Sequence, residues 1–188
     1  QKNPMQPLYD KLSTAGFKKS LVSKLLPEWW NDEVASTQAG YQGAALRLAK
    51  LFSLRYTSLM GAGPAEFSLA GRCFKRQRHI DETRLDQASA LASLSARLAL
   101  RAIDRHFEGQ APSAAEIRSH LLSRGAPWIN FNSLVDYCWE LGIPVIFVPS
   151  LPPPKMQGLA LKIDGRPAIV LTSGRKYGYL VFDLAHEL

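Results

Sequence analysis

The chain of 188 residues is 46% hydrophobic and 21% charged, a globular composition that excludes disordered and collagen-like classes. Its net charge of +7 lies wholly in residues 1–79, which hold 12 basic and 5 acidic side chains; residues 80–188 balance 11 against 11. That asymmetry predicts two regions, of which only the first has reason to approach a polyanion. No apolar run nears the ~20 residues that span a bilayer. The two cysteines, Cys73 and Cys138, are far apart and make no disulfide framework. No signal peptide opens the chain, so a cytoplasmic protein is expected. Gln1 is not an initiator methionine, which suggests a trimmed start.

The first region reads as helical. Phe17, Leu21, Val22 and Leu25 keep a helical spacing that stops at Pro27. A short helix is predicted to begin at Trp29-Trp30. Another starts near Thr37 and runs through Leu46, Leu48, Ala49 and Phe52, with Met60 as its furthest limit. Gly61, Gly63 and Pro64 then break the pattern. Residues 66–79 have no clear period. They contain Arg72, Lys75, Arg76 and Arg78, the densest basic cluster, and read as a linker or arm.

Residues 81–107 form the longest periodic segment and predict a helix of about 27 residues, roughly 40 Å long. Leu91, Leu94 and Leu98 supply one apolar stripe, and Leu100, Ile103 and Phe107 another. A helix apolar on more than one face is central to its domain. Ser113 and Glu116 have the spacing of a capping box at the start of a helix that ends at Gly125. Asn132 or Ser133 is predicted to cap a third helix over residues 134–141, closed by Gly142 with Pro144 beyond. The pattern then shifts to strands at residues 145–148, 159–163 and 168–171. The last two flank Asp164-Gly165, a dipeptide that favours tight hairpins because both positions tolerate positive φ. Pro152, Pro153 and Pro154 predict a stiff surface loop, and residues 178–188 return to a helical period.

The last residues carry the most chemical information: Ala185-His186-Glu187-Leu188. A zinc-peptidase helix places His at i and i+4 on one face and a general-base Glu at i+1. His186 and Glu187 match the first half of that motif. Alone, such a dipeptide is usually part of a solvated helix surface.

Their context is more specific. The run Leu141-Gly142-Ile143-Pro144-Val145, then Gly158, then Gly165-Arg166-Pro167-Ala168-Ile169-Val170-Leu171, then Phe182-Asp183-Leu184-Ala185-His186-Glu187-Leu188 resembles the ImmA/IrrE family of zinc metallo-endopeptidases. The final segment is similar to the family's F-x-L-A-H-E-L-G-H signature without its last two residues. The resemblance covers roughly residues 81–188. It implies that His186 is a zinc ligand and Glu187 the catalytic base. It also implies that the remaining ligands lie beyond Leu188, so these 188 residues alone should bind zinc weakly or not at all. It further implies a protein substrate, commonly a helix-turn-helix repressor, and a role in phage, mobile-element, stress or defence responses. Many such proteins carry a DNA-binding helical module at the N-terminus. The +7 region suits that role through phosphate neutralisation, with Lys75, Arg76 and Arg78 as candidate contacts. Residues 37–60 resemble the closing helices of a repressor-type fold, although no clear recognition helix stands out. A protein-docking module or a basic solvated surface fits the same charge.

Other residues attract plainer readings. Ser173 and Lys176 match S-x-x-K but lack its partner motifs. Cys138 reads as a core thiol, and His79, His106 and His120 as surface or capping residues. Trp29-Trp30 could stack on bases, but a core anchor is the stronger reading. Solvent-facing roles are expected for Arg166 and Asp183, with substrate or ligand positioning as the alternative.

The sequence thus predicts an α+β protein. Residues 1–79 form a basic helical module and linker; residues 80–188 form the N-terminal part of a zincin-like metallopeptidase domain, interrupted at its active-site helix. The alternative is a DNA-binding or repressor-binding regulator with a vestigial protease domain, and a third reading is an interaction scaffold.

Overall fold

A computed structural model describes residues 3–68, 82–110, 112–125, 127–152, 157–172 and 176–188. The chain divides into two compact units, Gln1–Ala70 and Gly71–Leu188. The boundary expected between residues 79 and 80 lies outside the described residues, as do Lys75, Arg76, Arg78 and His79. The described residues form nine helices and one three-stranded sheet, an α+β composition.

Among its described residues the first unit has five helices, α1 (Gln6–Thr14), α2 (Lys19–Leu25), α3 (Asp32–Ser36), α4 (Gln38–Phe52) and α5 (Tyr56–Met60), and one antiparallel bridge between Leu54 and Phe67. Side-chain caps set two of the starts. Asn31 accepts from the Val34 amide at 2.9 Å, and Thr37 from the Gly40 amide at 3.0 Å. The core gathers Leu8, Leu12, Phe17, Val22, Leu48, Leu51, Phe52 and Leu59. Phe17 stacks on Phe52 with ring centroids 4.1 Å apart.

The helix expected from Thr37 through Phe52 is α4; it stops short of Met60 because Ser53 takes a left-handed conformation (φ 54°) and α5 begins anew at Tyr56. One expectation for this unit needs correction. Trp29 is 67% exposed and anchors no core, since the short helix begins at Asp32 behind its Asn31 cap.

The second unit is three-layered. Helix α6 (Glu82–Arg101) covers one face of the sheet. The other face carries α7 (Ala114–Ser123), α8 (Phe131–Glu140) and, after strands β1 (Val145–Val148), β2 (Gly158–Ile163) and β3 (Arg166–Thr172), the final helix α9 (Tyr177–Glu187). The strand order is β1-β3-β2, with β1 parallel and β2 antiparallel to β3. The β2–β3 hairpin turns at Asp164 (φ 50°) and Gly165 (φ 84°), the conformation expected of that dipeptide.

Helix α6 is shorter than expected, ending at Arg101 rather than Phe107. An arginine from the sheet occupies the carbonyls at and beyond that end. Arg166 donates from Nη1 to the Leu100 carbonyl (2.7 Å) and from Nη2 to those of Ile103 and Arg105 (3.0 Å each). It thereby captures carbonyls that further helical turns would use. The solvent-facing role expected for Arg166 is therefore wrong. Its neighbour in the turn, Asp164, pairs with Arg97 of α6 at 3.1 Å.

The apolar face of α6 matches the expected stripes in part: Leu94 and Leu100 are buried, but Leu98 is not. Ala92, Ala96 and Leu100 meet Leu159, Leu161, Ala168 and Val170, whereas Leu98 is 46% exposed. Alanines at i and i+4 let the helix approach the sheet closely, which a leucine stripe would prevent. Helix α7 has the expected capping box, and its Glu116 carboxyl is held below the usual range by the side-chain and backbone hydrogen bonds of Ser113. Helix α8 starts earlier than predicted: Asn130 is the cap, and Ser133 is its reciprocal partner three residues on.

Replacing Arg166 with Met keeps most of the stem but leaves three carbonyls without their donor. This variant should lose about 2–3 kcal/mol of stability, read as a lower urea midpoint at unchanged slope. A loss below about 0.5 kcal/mol would show that water replaces the guanidinium at no cost.

Candidate active site at the end of α9

Helix α9 follows β3 and lies on the sheet face opposite α6. Leu180, Val181, Leu184 and Leu188 recur at helical spacing and pack on the core that contains Val145, Ile169 and Leu171. Leu184 is fully buried there. The opposite face of the helix is outward: Tyr179, Phe182 (76% exposed) and His186.

His186 and Glu187 are adjacent, so their side chains leave the helix about 100° apart. His186 is exposed, while Glu187 is half-buried against the sheet. Its Oε2 accepts a hydrogen bond of 2.8 Å from the backbone amide of Ala160 on β2. Among the described residues strand β2 is an edge of the sheet, so the Glu187 carboxylate occupies an edge donor that no described strand uses. Gly158, two residues earlier, lies directly under the Glu187 side chain. The carboxylate thus sits where an extended peptide could add to the sheet.

Catalytic zinc takes three protein ligands and leaves one position open. Among the described residues no group of three His, Cys, Asp or Glu side chains could hold a metal ion. His186 is the candidate donor at this position, and these residues by themselves do not make a zinc site. His106 and His120 are both exposed, and the His120 ring lies 5.0 Å from that of Tyr137 on α8. Ser173 of the S-x-x-K match falls outside the described residues, and Lys176 is the N-terminal flanking residue of α9. Cys138 is buried, and desolvation pushes its thiol up to about 12, which keeps it protonated near neutrality.

The basic groups of the first unit are partly committed to its own fold. Lys11 donates from Nζ to the carbonyls of Ser58 (2.9 Å), Leu59 (3.0 Å) and Gly61, closing the end of α5. Arg47 donates to the Leu25 carbonyl at 2.8 Å, the Lys19 ammonium lies 4.9 Å from the Tyr9 ring centre, and Arg55 pairs with Glu66 at 3.4 Å. Lys18, Lys24 and Lys50 are exposed.

Sequence reasoning singled out His186 and Glu187 but missed the Ala160 amide, because a backbone donor carries no residue signature. Gly158 offered a faint signal, as a glycine where a strand begins without needing a turn. No protein-family model, curated protein or solved structure matches the chain. Among the described residues no helix is long and apolar enough to cross a membrane.

Proposed function

We propose that this chain carries the first metal ligand, His186, and the general base, Glu187, of a zinc-dependent endopeptidase of the ImmA/IrrE type. On this reading residues 80–188 belong to a zincin-like domain, and the other ligands are supplied from outside these 188 residues. The single observation that supports it best is the placement of the Glu187 carboxylate on the free edge of β2, bonded to the Ala160 amide. A general base for peptide hydrolysis has to lie beside the substrate backbone, and a sheet edge is where an extended backbone is held. The substrate class that goes with the reading is a regulatory protein, a helix-turn-helix repressor in particular.

In the complete gene product, Glu187→Gln should keep its zinc and lose about 10²–10⁴-fold in cleavage of a quenched-fluorescent peptide library, the scale of a missing general base. Undiminished cleavage would remove Glu187 from the chemistry.

The charge of residues 1–79 favours a second contact, with nucleic-acid phosphate, and with it the alternative of a DNA-binding regulator. The internal commitments of Lys11, Arg47 and Arg55 reduce the charge available for it. If the contact exists, the logarithm of duplex-DNA affinity should fall with the logarithm of salt by about 0.9 per phosphate contacted. A flat response would leave protein docking as the role of the module.

A further inference from the structure

Gly158 has no conformational reason to be glycine. Its φ is not in the left-handed region, in contrast to Gly142 and Gly165, so any L-residue could adopt its backbone. Glycine in a strand also forgoes cross-strand packing and weakens the strand. What distinguishes the position is space. A Cβ placed there would lie 3.0 Å from Glu187 Cγ, 3.2 Å from Glu187 Oε1 and 3.1 Å from Leu171 Cδ2. The stem of Glu187 therefore runs directly over the bare α-carbon. Two residues along the same strand, the Ala160 amide fixes the other carboxylate oxygen, Oε2, at 2.8 Å.

The two features fit one arrangement. Gly158 and Ala160 alternate with Leu159 and Leu161, which are buried on the α6 side. Gly158 pairs across the hairpin with Leu171, which packs with Leu184 of α9. The core that Leu184 shares with Leu171 seats the end of α9 on the sheet, and the missing side chain at 158 lets Glu187 pass over the strand to its outer edge. A side chain there would require the Glu187 stem or the Leu171 side chain to give by a few tenths of an ångström, which strains the bond to the Ala160 amide.

We propose that Gly158 and the Ala160 amide form a cradle that positions the Glu187 carboxylate, with Oε2 anchored and Oε1 left over Gly158 to act. This rests on the assignment of Glu187 as general base, but the cradle itself can be tested without metal or substrate.

The test is a double-mutant cycle on the 188-residue chain, read by hydrogen exchange of the Ala160 amide in NMR spectra. Glu187→Ala and Gly158→Ala should each speed that exchange about tenfold or more, the scale of losing a charge-assisted hydrogen bond. The double variant should exchange no faster than Glu187→Ala alone, because without the carboxylate the added methyl displaces nothing. Exchange at Val170 in the central strand should stay unchanged throughout. If Gly158→Ala alone fails to fold, the cradle requires that Glu187→Ala restore folding. Unchanged Ala160 exchange in Gly158→Ala, multiplicative effects, or a folding defect that persists in the double variant would each overturn the proposal, leaving Leu171 as the reason for the glycine. In the complete gene product, Gly158→Ala should then lower kcat for peptide cleavage about tenfold at unchanged KM and zinc content. Should the exchange cycle succeed while Glu187→Gln cleaves normally, the cradle stands and the assignment of the base falls.

Discussion

Four consecutive side chains of β3, Ala168 to Leu171, are withdrawn from solvent, alternately onto α6 and onto the layer made by α7, α8 and α9. A central strand covered on both faces has to be apolar at every position, and each large side chain buried there contributes about 2–3 kcal/mol. This double burial fixes more than stability. It sets the register of β2, and hence which β2 amides face the outer edge, because a slip of one residue would turn Leu159 and Leu161 out of the core. It also sets the seat of α9, whose Leu184 lies in the same core as Ile169 and Leu171. The meeting of Glu187 with the Ala160 amide follows from those two placements.

Cations do structural work in both units. Lys11 answers three carbonyls at the end of α5, and Arg166 answers three at and beyond the end of α6. In each case a positive group meets the negative end of a helix, where orphan carbonyls and the helix dipole both favour it. Net charge is therefore an incomplete guide to function here. Part of the positive charge of the first unit secures its own chain, and a phosphate contact has to draw on the basic groups that remain.

What was legible in the sequence was local. The Ser113–Glu116 capping box, the Asp164-Gly165 turn and the three strands all depend on residues a few positions apart, and each lies where the pattern put it. The misreadings came from partners distant in sequence. Arg166 caps a helix more than sixty residues earlier. The face of α6 was misjudged at Leu98, which is exposed, whereas the smaller Ala92 and Ala96 pack on the sheet. Trp29 was expected inside because indole is large and apolar, but it is exposed, and the stacked Phe17 and Phe52 supply the aromatic part of that core. At the candidate site, His186 and Glu187 were readable as residue types. Their divergence, one outward and one onto the strand edge, depends on how Leu184 seats the helix.

The reading as a whole turns on His186 as a metal ligand. Zinc content measured by elemental mass spectrometry on the complete gene product, for the natural chain and for His186→Ala, addresses this most directly. If His186 binds the metal, the natural chain holds about one zinc and the variant loses most of it, with the helical circular-dichroism signal unchanged because His186 is exposed. Equal zinc in both proteins, or none in the natural chain, would contradict it.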